Sequence, residues 1–325
     1  MANKIWKNKK VLITGTDGFI GSHLTEKLID LGANVTAVVR GTSVNGTHKY
    51  SFKNLNQNYI KKIKKIIACD FSSTDIIQQI IKQNPQYIFH LGASAYVPYS
   101  FKYPLEVNQA NVIGTLNILE AARELKNLKR VICTSSSEVY GSALKKKIDE
   151  NHPLNPTSPY AASKVAADRY CYSYIKTFSL PITIVRPFNT YGPRHTYDVV
   201  PKFIKMALSN EDITIHGNGK QSRDLTYVSD AVDAFIAISQ SKKANQKVIN
   251  FGTGKDHNIN FLAKHIKLIS NSKSRIIHIE DRLAEVQRLT CDPSLCKKIT
   301  NWTHKVDILK GLELNIEWAR NNWNR

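Results

Sequence analysis

Residues 10–24 read KVLITGTDGFIGSHL, and their pattern decides the fold. The run 11–14 is apolar and β-forming, and Gly15, Gly18 and Gly21 follow it at intervals of three. From Phe19 onward Phe19, Ile20, Leu24, Leu28 and Ile29 recur at helical spacing. Strand, glycine turn and helix together suit a dinucleotide. The glycines let the backbone turn sharply and approach a pyrophosphate, and the helix start offers free N–H groups and a positive dipole end. A glycine turn before any helix looks similar, so the surrounding chain has to supply the context.

At 325 residues the chain accommodates one large α/β unit or two lobes. No apolar run approaches the roughly 20 residues that span a bilayer, so no membrane association is expected. The start, MANKIWKNKK, is basic but lacks the apolar stretch and cleavage site of a signal peptide. The five cysteines, Cys69, Cys133, Cys171, Cys291 and Cys296, show no CxxC spacing. Reduced thiols, a cytoplasmic location and no metal site are the expectation. The formal charge of +20 raises the question of nucleic acid. The lysines are spread out, however, apart from 61–65 (KKIKK) and 145–147, and no aromatic stacking platform accompanies them. No nucleic-acid partner is expected; the positive field favours an anionic substrate.

Further strands follow at 34–39, 66–69, 87–91, 130–134 and 182–186, with helices between them over 74–81 and 159–178 and from Asn111 onward. This alternation predicts an α/β fold with a Rossmann-like, doubly wound parallel sheet. The polar, poorly periodic 41–65 reads as an extended surface loop. Beyond 187 the alternation loosens. Residues 1–187 are expected to form the nucleotide-binding domain, with 226–256 returning to it through a helix over 229–239 and a strand over 247–251. Residues 188–325 then form mainly a smaller, C-terminal substrate-binding lobe.

The second strand ends at Val39 and Arg40, where an acid would bond the ribose hydroxyls of NAD and an arginine accepts the 2′-phosphate of NADP. Arg40 leans toward NADP, with Thr42 and Ser43 as further phosphate donors; NAD and an ordinary surface arginine stay open. Asp70 closes the third strand and is also placed to cap the helix over 74–81. His90, inside a strand, reads as a packed histidine.

Tyr160 and Lys164, in SPYAASK, stand four apart and share a helix face. A phenol with an unperturbed pKa of ~10 is a poor base, and a neighbouring ammonium stabilises its phenolate. Tyr160 can then take a proton from a substrate hydroxyl. TSSSEVYG, 134–141, adds Ser136, Ser137 and Glu138 after the fifth strand.

These motifs together resemble the extended short-chain dehydrogenase/reductases, the NAD-dependent epimerase/dehydratase family. HLGASAYVPYS is similar to that family's HLAA segment and ACDFSS to its GDxxD segment. The resemblance implies cofactor contacts at Gly15, Gly18, Phe19, Ile20, Gly21, Arg40, Asp70, Phe71, Leu91, Ala93, Tyr160 and Lys164. It makes Ser136, Tyr160 and Lys164 the catalytic triad and Asn111 a structural support at a helix irregularity. It also implies substrate contacts at Asn189 and, for the diphosphate, Arg223 and Arg282; Arg194 is a further candidate, or else a surface charge. Residues 200–203 (VPKF) would line the nucleotide pocket.

Glu138 distinguishes reactions within the family. The 4-epimerases carry a small or hydroxyl residue there, whereas 4,6-dehydratases carry a glutamate that removes the C5 proton. Where dTDP-glucose-type dehydratases have Asp as the acid, this chain has Ser137, which is no strong acid, so Glu138 itself or a water would deliver the proton to O6. The Ser–Glu pair resembles GDP-mannose-type and LegB-like 4,6-dehydratases, and also UDP-glucuronate decarboxylases. The expectation is a 4,6-dehydratase acting on a UDP- or GDP-N-acetylglucosamine-like sugar through bound NAD(P). A 4-epimerase, a decarboxylase or a cofactor-sensing protein without turnover are the alternatives. Helices over 105–125 and 159–178 resemble those of a four-helix homodimer interface in this family.

Overall fold

The computed structural model describes residues 5–40, the backbone of 42–44 and 47–49, and 52–323. The chain divides into two compact units. The first comprises Met1–Ser136, Ser158–Arg186 and Phe235–Ile249, and the second Ser137–Thr157, Pro187–Ala234 and Asn250–Arg325. Residues 137–157, inside the expected first domain, thus group with the second unit, and of 226–256 only 235–249 group with the first.

The first unit is built on a seven-stranded sheet. Its strands are β1 (Lys10–Thr14), β2 (Asn34–Val39), β3 (Lys65–Ala68), β4 (Tyr87–His90), β5 (Arg130–Thr134), β6 (Ile182–Pro187) and β7 (Val248–Phe251), in the order β7-β6-β5-β4-β1-β2-β3. Parallel pairing joins β1 through β6, with Val11 opposite both Val35 and Tyr87. This is the Rossmann-like order, and it reverses between β1 and β4. The crevice outside the carboxyl ends of strands at such a point is where ligands bind.

Strands covered on both faces read as continuous apolar runs, and Val11, Leu12 and Ile13 are accordingly at most 1% exposed. Helices α1 (Phe19–Asp30), α2 (Asp75–Gln83), α3 (Gly114–Arg123) and α4 (Pro159–Phe178) complete the unit. On α2, Ile76 and Ile80, one turn apart, enter the same core cluster as Ile118, Leu119 and Ala122 of α3. Ser158 starts α4 by accepting a bond from Ala161 N at 3.1 Å, with Pro159 at the first helical position.

Three local readings are corrected. Residues 41–65 are not one loop: Thr42–Val44 pairs antiparallel with Thr47–Lys49, and Gln57–Ile60 forms a helical turn. The helix expected over 105–125 is Pro104–Asn108 and α3 joined by a π-helical turn, Gln109–Ile113. Asp70 does not cap α2; its carboxylate turns back to Ser72, accepting from the N–H at 2.9 Å and the hydroxyl at 2.8 Å.

In the second unit, Ser222–Tyr227 pairs antiparallel with Asp256–Asn258 and parallel with Asn189–Tyr191 and Arg288–Leu289. Ile213–His216 pairs parallel with Ile276–Ile279. Asp230 anchors the chain near its C-terminus, accepting from Lys305 N and Val306 N at 2.9 Å each. No described helix is long and apolar enough to cross a membrane.

Candidate active site

In the first unit the glycine turn is held by contact. Gly15 has φ +69, and a Cβ there would lie 2.8 Å from Gly92 N; a Cβ on Gly21 would lie 2.0 Å from Gly15 O. Only glycine allows β1, α1 and the end of β4 to converge this closely. Asp17, which sequence reasoning passed over, ties this turn to the following segment by accepting bonds from Lys53 N at 2.7 Å and Asn54 N at 2.9 Å.

Beside the turn lies a cleft of about 910 Å³ lined by Gly15, Gly18, Arg40, Asp70, Phe71 and Ala93, among others. Phe19, Ile20, Gly21, Leu91, Tyr160 and Lys164 do not line it. Arg40 Nε stands 3.6 Å from Asp70 Oδ2, and the arginine side chain is 84% exposed. Thr42 and Ser43 have side chains outside the described residues. Phe71 meets His90 edge-on and fills the space beside Gly92 and Gly114, where a Cβ would come within 2.8 and 2.4 Å of its ring.

Tyr160 and Lys164 lie buried on α4. Lys164 Nζ donates to Thr134 O at 2.5 Å, fixing the ammonium at the end of β5. Burial lowers its pKa, against smaller opposing effects of Cys133, Cys171 and Asp168. Asn111, in the π turn, accepts from Ser94 N at 2.7 Å and donates to Ser94 O at 3.1 Å and Ser163 Oγ at 2.9 Å. Ser163 Oγ in turn donates to Tyr160 O at 2.7 Å. The helix irregularity therefore holds the strand exit after β4 and the helix of Tyr160 together. One turn further along α4, buried Asp168 accepts Arg186 Nε at 2.8 Å and Nη2 at 3.0 Å. Burial alone would raise its carboxyl, but the Arg186 fork holds it below the usual range. His90 is a packed histidine as expected, between Thr14 at 2.7 Å and Thr115 at 3.1 Å. Ser136 is buried just past β5, where the Thr134 and Ser135 hydroxyls have no hydrogen-bond partner among the described residues.

In the second unit, Ser137 and Glu138 open a 3-10 turn, Ser137–Tyr140. Burial raises the Glu138 carboxyl above its ordinary pKa; Arg223 opposes this, Asp198 and Glu285 add to it, and Arg282 opposes it weakly. Arg223 is nearly buried and engaged: Nη2 donates to Glu285 Oε1 at 2.6 Å and Nη1 to Val286 O at 2.7 Å. Arg282 Nε stands 4.0 Å from the other Glu285 oxygen, so one carboxylate addresses both arginines. Glu285 carries no local signal in the sequence, because its partner Arg223 lies 62 residues away. Beside Arg223, fully buried Asp224 accepts from Thr253 N and Gly254 N at 2.8 Å each and from Cys291 N at 3.1 Å. Asn189 Oδ1 is buried without a hydrogen-bond partner among the described residues. Val200 and Phe203 lie buried on the helix Val199–Leu208, and Arg194 is half-buried rather than a surface charge.

The family described as GDP-mannose 4,6 dehydratase matches residues 12–314. The chain belongs to this family. It is 33% identical over 327 residues to dTDP-D-glucose 4,6-dehydratase of Bos taurus, covering 97% of this chain and 90% of that one. It is 35% identical over 327 residues to UDP-N-acetyl-alpha-D-glucosaminuronate decarboxylase of Bacillus cytotoxicus, covering 96% and 98%. The solved structure of UDP-glucuronic acid 4-epimerase from Bacillus cereus, with UDP-glucuronic acid and NAD, superposes with a TM-score of 0.86 at 27% identity, covering 96% of this chain and 99% of that one. Membership of the GDP-mannose 4,6-dehydratase family makes the chain an enzyme of the NAD-dependent nucleotide-sugar dehydratase and epimerase group, whose members carry out dehydration, decarboxylation and epimerisation. The cradle at Gly15 and Gly21, which a Cβ would fill, fits the dinucleotide that this family uses. The orphaned Asn189 oxygen fits a ligand with a donor, such as a sugar hydroxyl.

Proposed function

We propose that the protein is a nucleotide-sugar 4,6-dehydratase that converts an NDP-hexose, UDP- or GDP-N-acetylglucosamine-like, to its 4-keto-6-deoxy product. Glu138 carries this reading: a carboxyl whose proton affinity is raised by burial is suited to accept a proton from carbon. Ser136 bonds the C4 hydroxyl and Tyr160 takes its proton, with Lys164 favouring the phenolate. A nicotinamide cofactor held there would supply the hydride acceptor for C4 and the hydride donor for C6. The C4 ketone acidifies C5, and Glu138 removes the C5 proton as the C6 hydroxyl departs, then returns a proton to C5. Gly15, Gly18, Arg40, Asp70, Phe71 and Ala93 hold the dinucleotide, with Arg40 selecting NADP. Asn189, Arg223 and Arg282 hold the sugar diphosphate; for this Arg223 exchanges the Glu285 carboxylate for phosphate oxygens, which suit its fork equally well.

Ser137 favours a second reading. Decarboxylation of an NDP-uronate expels no C6 hydroxyl and so needs no acid at that position. Glu138→Gln separates the two roles. A dehydratase with this substitution stops releasing water while solvent deuterium no longer enters C5; full water release by the variant would sink the dehydratase reading.

We further propose a cytoplasmic homodimer. Leu105, Tyr170, Tyr172 and Phe178 of the first unit are exposed on the two helices expected to form its four-helix interface, and the five cysteines are free.

A further inference from the structure

The strand order of the first unit divides a dinucleotide into two halves. The glycine turn follows β1. To one side of it stand β4 and β5, with Lys164 fixed at the end of β5; to the other stand β2 and β3, followed by Arg40 and Asp70. A nicotinamide that serves Tyr160 sits toward β5, so the adenosine half belongs in the cleft of about 910 Å³ that Arg40 and Asp70 line. Of the residues proposed to hold the dinucleotide only Phe71 carries a ring, and that ring is taken up by His90 and by the backbones of Gly92 and Gly114. The same cleft has a further aromatic lining residue, Tyr99, on the short helix Val97–Lys102. Tyr99 is held from two sides. Its hydroxyl donates to Glu106 Oε2 at 2.5 Å, and the Tyr103 ring leans on it at 4.7 Å between centroids and 39° between planes. Tyr103 does not line the cleft, whereas Tyr99 does and is 36% exposed. With its hydroxyl engaged, what Tyr99 offers a ligand is the face of its ring, and a ring fixed beforehand loses little freedom on binding.

We propose that Tyr99 is the platform on which the adenine base of the dinucleotide stacks, leaving Arg40 to the 2′-phosphate. The proposal rests on the cofactor reading given above. A base presents a π face whatever its edge carries, so an aromatic ring holds adenine firmly without reading its edge. The two side chains then have separable effects. Tyr99 acts on NAD and NADP alike, because both carry the base, and Arg40 acts on NADP alone.

The test measures binding and not turnover. Nucleotide-free wild type, Tyr99→Leu and Tyr99→Phe are titrated by calorimetry with NADP, NAD and ADP-ribose, and the adenine absorption band is followed in the ADP-ribose titration. Tyr99→Leu should weaken all three ligands by about tenfold or more, the scale of one base stacked on one aromatic ring. It should also lose the fall in adenine absorption that stacking produces in wild type. Tyr99→Phe, which keeps the ring, should stay within about threefold of wild type. Tyr99→Ser, at the same exposed position, decides the matter on the same constants should the leucine variant not fold. Wild-type affinity in Tyr99→Leu would overturn the proposal, as would binding of ADP-ribose by wild type with no change in the adenine band. Equal weakening in the leucine and phenylalanine variants would also overturn it, by assigning the effect to the hydroxyl and its bond to Glu106. So would a loss of affinity that accompanies a halved mass in light scattering, since Tyr99 would then serve a contact between copies of the chain. Wild type binding neither NADP nor NAD would overturn the cofactor reading itself, and this proposal with it.

Discussion

Asn111 donates its side-chain amide to Ser163 Oγ at 2.9 Å, and that serine stands between Tyr160 and Lys164 on α4. The same amide group spans both backbone polar atoms of Ser94, just past the end of β4. Asn111→Ala strips these buried groups of their partners, at an expected cost of about 1–3 kcal/mol in urea unfolding. The kcat should fall with the KM for sugar nucleotide unchanged, since α4 carries the proposed base and none of the proposed diphosphate contacts. A variant with wild-type kcat would show that the clamp serves stability alone.

Arg40 gives a cofactor prediction. Its guanidinium is exposed and lightly held by Asp70 at 3.6 Å, so it is available to a 2′-phosphate. Arg40→Ala should weaken NADP by about tenfold, the scale of one charge-assisted contact, and leave NAD unchanged. Fluorescence titration with both cofactors checks this. Equal weakening of the two would mean that Arg40 does not read the phosphate.

His90 makes the fold acid-sensitive. Burial, and secondarily the Lys164 charge, lowers its pKa to about 3. The unfolded chain takes up a proton below about pH 6.5 that the native state refuses, so this contribution is present above that pH and lost as pH falls toward 3. Between pH 7.5 and pH 5 the loss should be about 2 kcal/mol. His90→Gln should lack this component when urea midpoints are compared at the two pH values; an identical pH dependence in both proteins would contradict it.

Ala284 sits at φ 53, a left-handed backbone between Arg282 and Glu285. Ala284→Gly removes the Cβ strain and should stabilise the protein by about 1 kcal/mol, read as a raised thermal midpoint. A lowered midpoint would mean that the alanine side chain contributes contacts that outweigh the strain.

Much of this site was legible in the sequence because backbone geometry leaves few residue choices. Gly15, Gly18 and Gly21 mark a turn that a Cβ would block, and the spacing of Tyr160 and Lys164 places both on one helix face wherever the helix runs. Asn111 was placed at a helix irregularity by resemblance, and the π turn is there. The antiparallel pairing of Thr42–Val44 with Thr47–Lys49 was not legible, because the surrounding polar composition reads as loop. Residues 137–157 were assigned by chain position, whereas their grouping depends on distant partners. Ile148 bridges to Cys291, and Tyr140 donates to Asn250 Oδ1 at 2.7 Å. Glu285 was illegible for the same reason.

Mass spectrometry of the products formed from a panel of UDP-, GDP-, CDP- and dTDP-hexoses tests the proposed reaction most directly. A 4,6-dehydratase removes one water from one member of the panel, and that member names the nucleotide. Loss of carbon dioxide from a uronate, or an unchanged mass with a new sugar isomer, would contradict the proposal and make the enzyme a decarboxylase or an epimerase.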